Sequence, residues 1–110
     1  MKYTVYTIEQ IADIVAPIAE KYDVSKLYLF GSYARGEADA ESDIDLRVDG
    51  GRLNNLFALG GFYSDLETAL QKNLDLVTTD TLRQNKHDIL TRNLIRNMRK
   101  DEKLIYEKLS

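Results

Sequence analysis

Cysteine is absent from all 110 residues, so disulfides and thiolate metal sites are excluded and nothing ties the chain to an oxidising compartment. Histidine occurs once, and His87, in Lys86-His87-Asp88 ahead of an amphipathic run, reads as a surface or capping residue with no catalytic role. Proline also occurs once, glycine only six times, and no low-complexity tract suggests a disordered arm. No apolar run approaches the roughly 20 residues that cross a bilayer, and MKYTVYTIEQ lacks the apolar centre of a secretory signal. Membrane insertion is therefore set aside and a cytoplasmic setting is expected. A basic excess is missing too: the net charge of -3 and pI near 5.1 argue against gripping a nucleic-acid backbone as the main task. The basic residues are nevertheless uneven, with many between Arg83 and Lys103. The length suits one domain, 1–110, with a core large enough to hold without staples.

What is present is a mixture of short periodic segments. Thr7 and Gln10 have capping-box spacing, and Ile8, Ile11, Ala12, Val15, Ile18, Ala19 and Tyr22 recur at helical intervals, predicting a helix over Ile8–Tyr22 kinked at Pro17. Lys26–Phe30 and Asp43–Val48 read as strands, the second closed by the turn-prone Asp49-Gly50-Gly51. Leu53–Lys72 fits a helix with a break at Gly60-Gly61, and Phe57, Phe62 and Tyr63 are expected in its core face. Leu74–Thr78 is a third strand. Asp88–Lys100 is a basic amphipathic helix that should turn Ile89, Leu90, Leu94, Ile95 and Met98 inward. Leu104–Tyr106 is either a fourth, edge strand or a continuation of that helix. The fold class is α/β or α+β, with helices packed on a small mixed sheet of three or four strands.

The chemistry concentrates in GSYARGEADAESDIDL. Alternate strand side chains share a face, so Asp43 and Asp45 would stand side by side, their backbones about 6.6 Å apart, while Ile44 and Leu46 turn the other way. Asp75, in Asn73-Leu74-Asp75-Leu76-Val77, is another lone acid between apolar neighbours. It would join the pair if the third strand lies beside the second. Crowded carboxylates repel, which makes sense where cations neutralise them, and oxygen ligands alone favour magnesium or manganese. Two such ions about 3.5–4 Å apart are the arrangement for in-line displacement at phosphorus. Gly31-Ser32 ends a strand and opens a short helix, Ser32–Arg35 with Gly36 as its stop, which offers backbone amides and a hydroxyl to a polyphosphate. Arg35, about one turn on, either touches phosphate or pairs with Glu37 or Asp39.

Gly31-Ser32, ten residues, then Asp43-Ile44-Asp45 resembles the signature of the nucleotidyltransferase superfamily that includes DNA polymerase beta. The short chain is similar within it to the minimal nucleotidyltransferase (MNT) family, often encoded beside HEPN-domain proteins as antitoxin and toxin. The resemblance implies a small mixed sheet flanked by helices, two Mg2+ ions and transfer of a nucleoside monophosphate from ATP or another NTP with release of pyrophosphate. By position it puts Gly31, Ser32 and Arg35 at the triphosphate. It gives Asp43 and Asp45 to the metals, and Asp75 to the catalytic metal and the acceptor hydroxyl. It further implies AMP transfer to a HEPN toxin, neutralised by this chain as antitoxin.

Blander readings bear on the same residues. An EF-hand loop from Asp39 fails because Ile44 and Gly50 stand where glycine and glutamate are needed, and GSYARGEA lacks the closing Gly-Lys-Ser/Thr of a Walker loop. Arg92, Arg96, Arg99 and Lys103 read first as a solvated helix face, with RNA or an acidic partner as the alternative. A binding module with a vestigial nucleotide site, and transfer to RNA or a small molecule, are the competing functions.

Overall fold

The structure, a computed structural model, describes residues 4–51, 53 and 55–109. The chain runs α1 (Ile8–Lys21), β1 (Lys26–Phe30), α2 (Gly31–Arg35), β2 (Ile44–Asp49), α3 (Leu56–Leu70), β3 (Leu74–Thr78), α4 (Thr79–Gln84), α5 (Ile89–Asp101) and β4 (Lys103–Glu107). The strands form one mixed sheet in the order β3-β2-β1-β4, with β2 parallel to β3 and β1 antiparallel to both β2 and β4. The last segment is thus an edge strand, which resolves the open alternative for Leu104–Tyr106.

Strand alternation sorts the sheet into two faces. Leu27, Leu29, Ile44, Leu46, Val48 and Leu74 point to one, where α1 and α3 cover them with Ile11, Val15, Ala19, Phe62, Leu66 and Leu70. Each large side chain fully buried there contributes about 1.5–3 kcal/mol. Tyr22 and Phe62 lock α1 to α3 edge to face, centroids 5.3 Å apart, and Tyr6 Oη donates to Leu70 O at 2.7 Å. The opposite face carries Tyr28, Phe30, Asp45, Arg47 and Asp75.

The α1 capping box forms as read, with Gln10 N–H donating to Thr7 Oγ1 and Thr7 N–H to Gln10 Oε1. The helix continues through Pro17. Several expectations need correction. Asp43 lies outside the strand, because the ladder begins at Ile44↔Leu74 and nothing pairs with Asp43. α3 starts at Leu56, where the Asn55 side chain caps Ala58 N–H at 2.7 Å, and stops at Leu70 because Gln71 turns left-handed (φ 53°). Asn54, within the expected range, lies outside the described residues. No break occurs at Gly60-Gly61; a Cβ on Gly61 would meet Tyr22 Oη at 2.9 Å, so its bareness admits α1. Phe57 is 94% exposed, because the helix turns it to the side opposite Phe62, Leu66 and Leu70, whereas Phe62 is buried. In α5 only Met98 is buried and Ile95 half-buried, while Ile89, Leu90 and Leu94 face out, since the helix touches the body mainly near its C-terminal end. Among the described residues, no helix is long and apolar enough to cross a membrane.

Candidate active site

β1 leads straight into the turn that opens α2. Gly31 takes φ +75°, a conformation that L side chains rarely adopt, and a Cβ there would overlap Asp45 Oδ2 and lie 3.0 Å from its Cγ. The carboxylate of β2 therefore rests against the backbone of the Gly31-Ser32 turn. Tyr33 and Ala34, both buried, anchor α2, and Gly36 (φ 74°) ends it with its N–H on Tyr33 O. Ser32 is left half-buried at the first turn.

The acidic loop that follows is organised by its own side chains. Asp39 Oδ1 accepts from Glu41 N–H at 2.9 Å, and Asp39 N–H donates to Ser42 Oγ at 2.9 Å, so Asp39 holds the turn. Lys72, 7% exposed, donates to Ala40 O at 2.8 Å and ties this loop to the end of α3. A cleft of about 550 Å³ opens beside it, lined by Ser42, Asp43, Glu67 and Lys72, large enough for part of a small ligand.

The parallel register puts Asp45 directly opposite Asp75, on the face away from the core. Burial first, then contact with Asp75, and then the charge of Asp43 push the Asp45 carboxyl up to about 7; Arg35 pulls weakly the other way. Asp43 is exposed at the mouth, and among the described residues no three acid or histidine side chains close on one point. The donor set still fits a divalent cation. Magnesium is commonly held by one or two carboxylates while substrate phosphates and water complete the shell, and the paired Asp45 and Asp75 carry a repulsion that such a cation relieves.

Arg35 pairs with Glu37, one of the two acids foreseen for it, and with Asp101, which was not foreseen. Its Nε donates to Glu37 Oε1 at 2.9 Å and its Nη1 to Asp101 Oδ2 at 3.0 Å, which fastens α2 to the end of α5. Arg47 was missed. Two residues after Asp45 on the same face, it makes two bonds to Glu102 (2.9 and 3.1 Å) and one to Thr79 Oγ1 (2.7 Å), with its guanidinium 4.0 Å above the Tyr28 ring. The alternation that singled out Asp45 would have found it, since Arg47 is equally a charge between apolar neighbours. Asp101 and Glu102, also missed, carried no comparable signal.

Comparison with known proteins bears on the family and the fold. Residues 13–109 match the family described as "Polymerase beta, Nucleotidyltransferase". The protein adenylyltransferase MntA of Thermococcus cleftensis is 33% identical over 81 residues, 70% of this chain and 82% of its own length. Among solved structures, a toxin-antitoxin complex with AMP-PNP is similar at a TM-score of 0.66 and 23% identity, covering 88% of this chain and 73% of the other. A tri-AMPylated Shewanella oneidensis HEPN toxin in complex with MNT antitoxin gives 0.63 and 18%, covering 93% and 74%. These two likenesses bear on the fold. The match over most of its length shows that the chain belongs to the polymerase beta nucleotidyltransferase family and is a nucleotidyltransferase.

Proposed function

We propose that this chain transfers AMP from ATP to a hydroxyl of a partner protein, with Mg2+, and that the partner is a HEPN-domain toxin for which it is the antitoxin. The observation that carries the reading is the contact of the Asp45 carboxylate with the Gly31 backbone while Asp75 stands opposite in register. It brings the acidic pair and the Gly31-Ser32 turn together at one end of the sheet. The name of the MntA relative and the toxin-antitoxin complexes among the structural neighbours support the choice of acceptor.

Gly31 and Ser32 would receive the triphosphate through backbone amides and a hydroxyl. Asp45 and Asp75, with Asp43 at the mouth, would hold the cation, whose chemistry when bound is to neutralise phosphate charge. Asp75 accepts the proton of the acceptor hydroxyl as its oxygen bonds to the α-phosphorus. The bond from that phosphorus to the bridging oxygen breaks, and pyrophosphate leaves with the electron pair. Arg35, held by Glu37 and Asp101, would brace α2 beside the Gly31-Ser32 turn.

The test is label transfer with Mg2+ and ATP labelled at the α-phosphate, against a γ-labelled control, using the HEPN-domain protein as acceptor. Label from the α-phosphate alone is expected on the acceptor, and Asp45→Asn should lower the rate by at least about a hundredfold. A stable complex with no α-label under any triphosphate would replace this reading by a binding module that neutralises through occlusion. Label on RNA that resists protease would redirect the transfer.

A further inference from the structure

The end of the molecule built by α4 and α5 has a groove that the transfer site does not use. It measures about 300 Å³, and Leu82 of α4 with Ile95 and Met98 of α5 supply its apolar lining. Leu82 and Met98 are 8% and 3% exposed, so they form a floor rather than a rim. Arg83 and Lys86 stand on the α4 side and Arg99 on the α5 side. A shallower hollow continues along α5 over Arg92, Ile95, Arg96 and Arg99, positions that one helical face brings together.

These cations are not spent on the fold. Among the described residues, Lys86, Arg92, Arg96 and Arg99 engage no side-chain partner, and Arg83 reaches only Asp80, at 4.0 Å. The acids of the same segment are all in use. Asp88 caps α5 through Leu90 N–H, Asp101 holds Arg35 and Glu102 holds Arg47. Residues 83–103 thus carry seven Lys or Arg against three Asp or Glu, in a chain where acids outnumber bases 18 to 15. An apolar floor inside a cationic rim fits an occupant with the inverse pattern. A single-stranded nucleic acid fits less well, because neither α4 nor α5 has an aromatic side chain on which a base could stack.

We propose that the α4–α5 groove docks an acidic amphipathic helix of the acceptor protein, its apolar side on Leu82, Ile95 and Met98 and its carboxylates on the arginines. The inference rests on the reading of a protein acceptor given above. Arg47 lines the groove floor and sits two residues beyond Asp45 in β2, so an occupant would be held in fixed relation to the acidic pair.

The probe is a fluorescein-labelled synthetic peptide helix with leucines at i, i+3, i+4 and i+7 and glutamates elsewhere, titrated into the full chain. Its lysine counterpart and a single-stranded RNA of equal negative charge are titrated alongside. The acidic peptide is expected to bind, more weakly as salt rises, and to shift backbone amide resonances within residues 79–103. Arg92→Glu with Arg96→Glu, both on an exposed helix face, should weaken it at least tenfold, and Ile95→Ala at least threefold, with unchanged circular dichroism. Equal binding of both peptides, none up to about 1 mM, or shifts confined elsewhere would overturn the proposal. RNA that binds more tightly than the peptide and ignores Ile95→Ala would overturn it in favour of a nucleic acid. Asp45→Asn separates the two readings: it should lower transfer by at least about a hundredfold and leave peptide affinity unchanged. With the acceptor protein itself, the double charge reversal should raise its KM at least tenfold and leave the KM for ATP alone. A lowered kcat at unchanged acceptor KM would count against docking.

Discussion

Asp45 is placed where its charge is unwelcome. Its carboxyl is pushed up from an ordinary 3.8 to about 7, chiefly by burial and then by Asp75. A raised value means that the neutral acid is the form favoured by the fold. The stability it contributes is fully present below about pH 4, the unfolded range, and is lost as pH rises through about 7. Asp45→Asn should therefore raise the Tm of the EDTA-treated protein at pH 8. Discounted for partial exposure, the gain is about 1 kcal/mol, or roughly 4 °C. At pH 5 the gain should fall to less than half, and below about pH 4 it should vanish. A gain equal at both pH values, or none, would remove burial as the cause. The site residue most legible in the sequence was this one, because a lone acid alternating with Ile44 and Leu46 is a local pattern. Its closeness to Gly31 was legible only through a motif, since no local rule joins position 31 to 45.

At the scale of the element, α3 shows why a Gly-Gly pair misleads. Glycine costs a helix roughly 0.5–1 kcal/mol against alanine, which argues for a break, yet α3 runs from Leu56 to Leu70 without one. The two glycines serve different ends. Gly60 faces open space, whereas Gly61 lies under Tyr22 Oη, which donates to Asp65 at 2.8 Å. Gly60→Ala should stabilise by about 0.5–1 kcal/mol. Gly61→Ala should be neutral to destabilising by about 1 kcal/mol, because the tyrosine must move away from Asp65. Thermal melts of the two variants decide it, and equal shifts of one sign would refute the assignment. The same element explains Phe57: at about 100° per residue it falls on the side of α3 opposite Phe62, Leu66 and Leu70, so the period itself, applied strictly, excludes it from the core. α4 went unread for a different reason. Six residues are too few for a period, and only Thr78, whose hydroxyl caps Thr81 N–H, announced it.

Over the whole molecule, two arginines bind the C-terminal third to α2 and β2. Arg35 reaches Asp101 and Arg47 reaches Glu102, consecutive residues at the close of α5. Arg47 and Glu102 are only 15% and 19% exposed, so removing one charge strands the other. Glu102→Gln should cost about 2–3 kcal/mol, whereas Arg47→Met with Glu102→Met should recover much of it, as replaced buried pairs often do. A double variant no better than the single would mean that packing on Tyr28, rather than charge, holds the junction. Strand identities were readable from composition, but their order was not, because pairing depends on distant segments: β4 reaches β1 across more than seventy positions. That order has a consequence for synthesis on the ribosome. By Thr78 a nascent chain has both partners of the Asp45↔Asp75 register, but the outer edge of β1 stays unpaired, Arg47 lacks Glu102 and Arg35 has only Glu37 until residues 101–107 emerge. A chain truncated before Lys103 would thus keep every residue of the proposed transfer site yet offer neighbouring copies an open strand, so loss of the last few residues should appear first as aggregation.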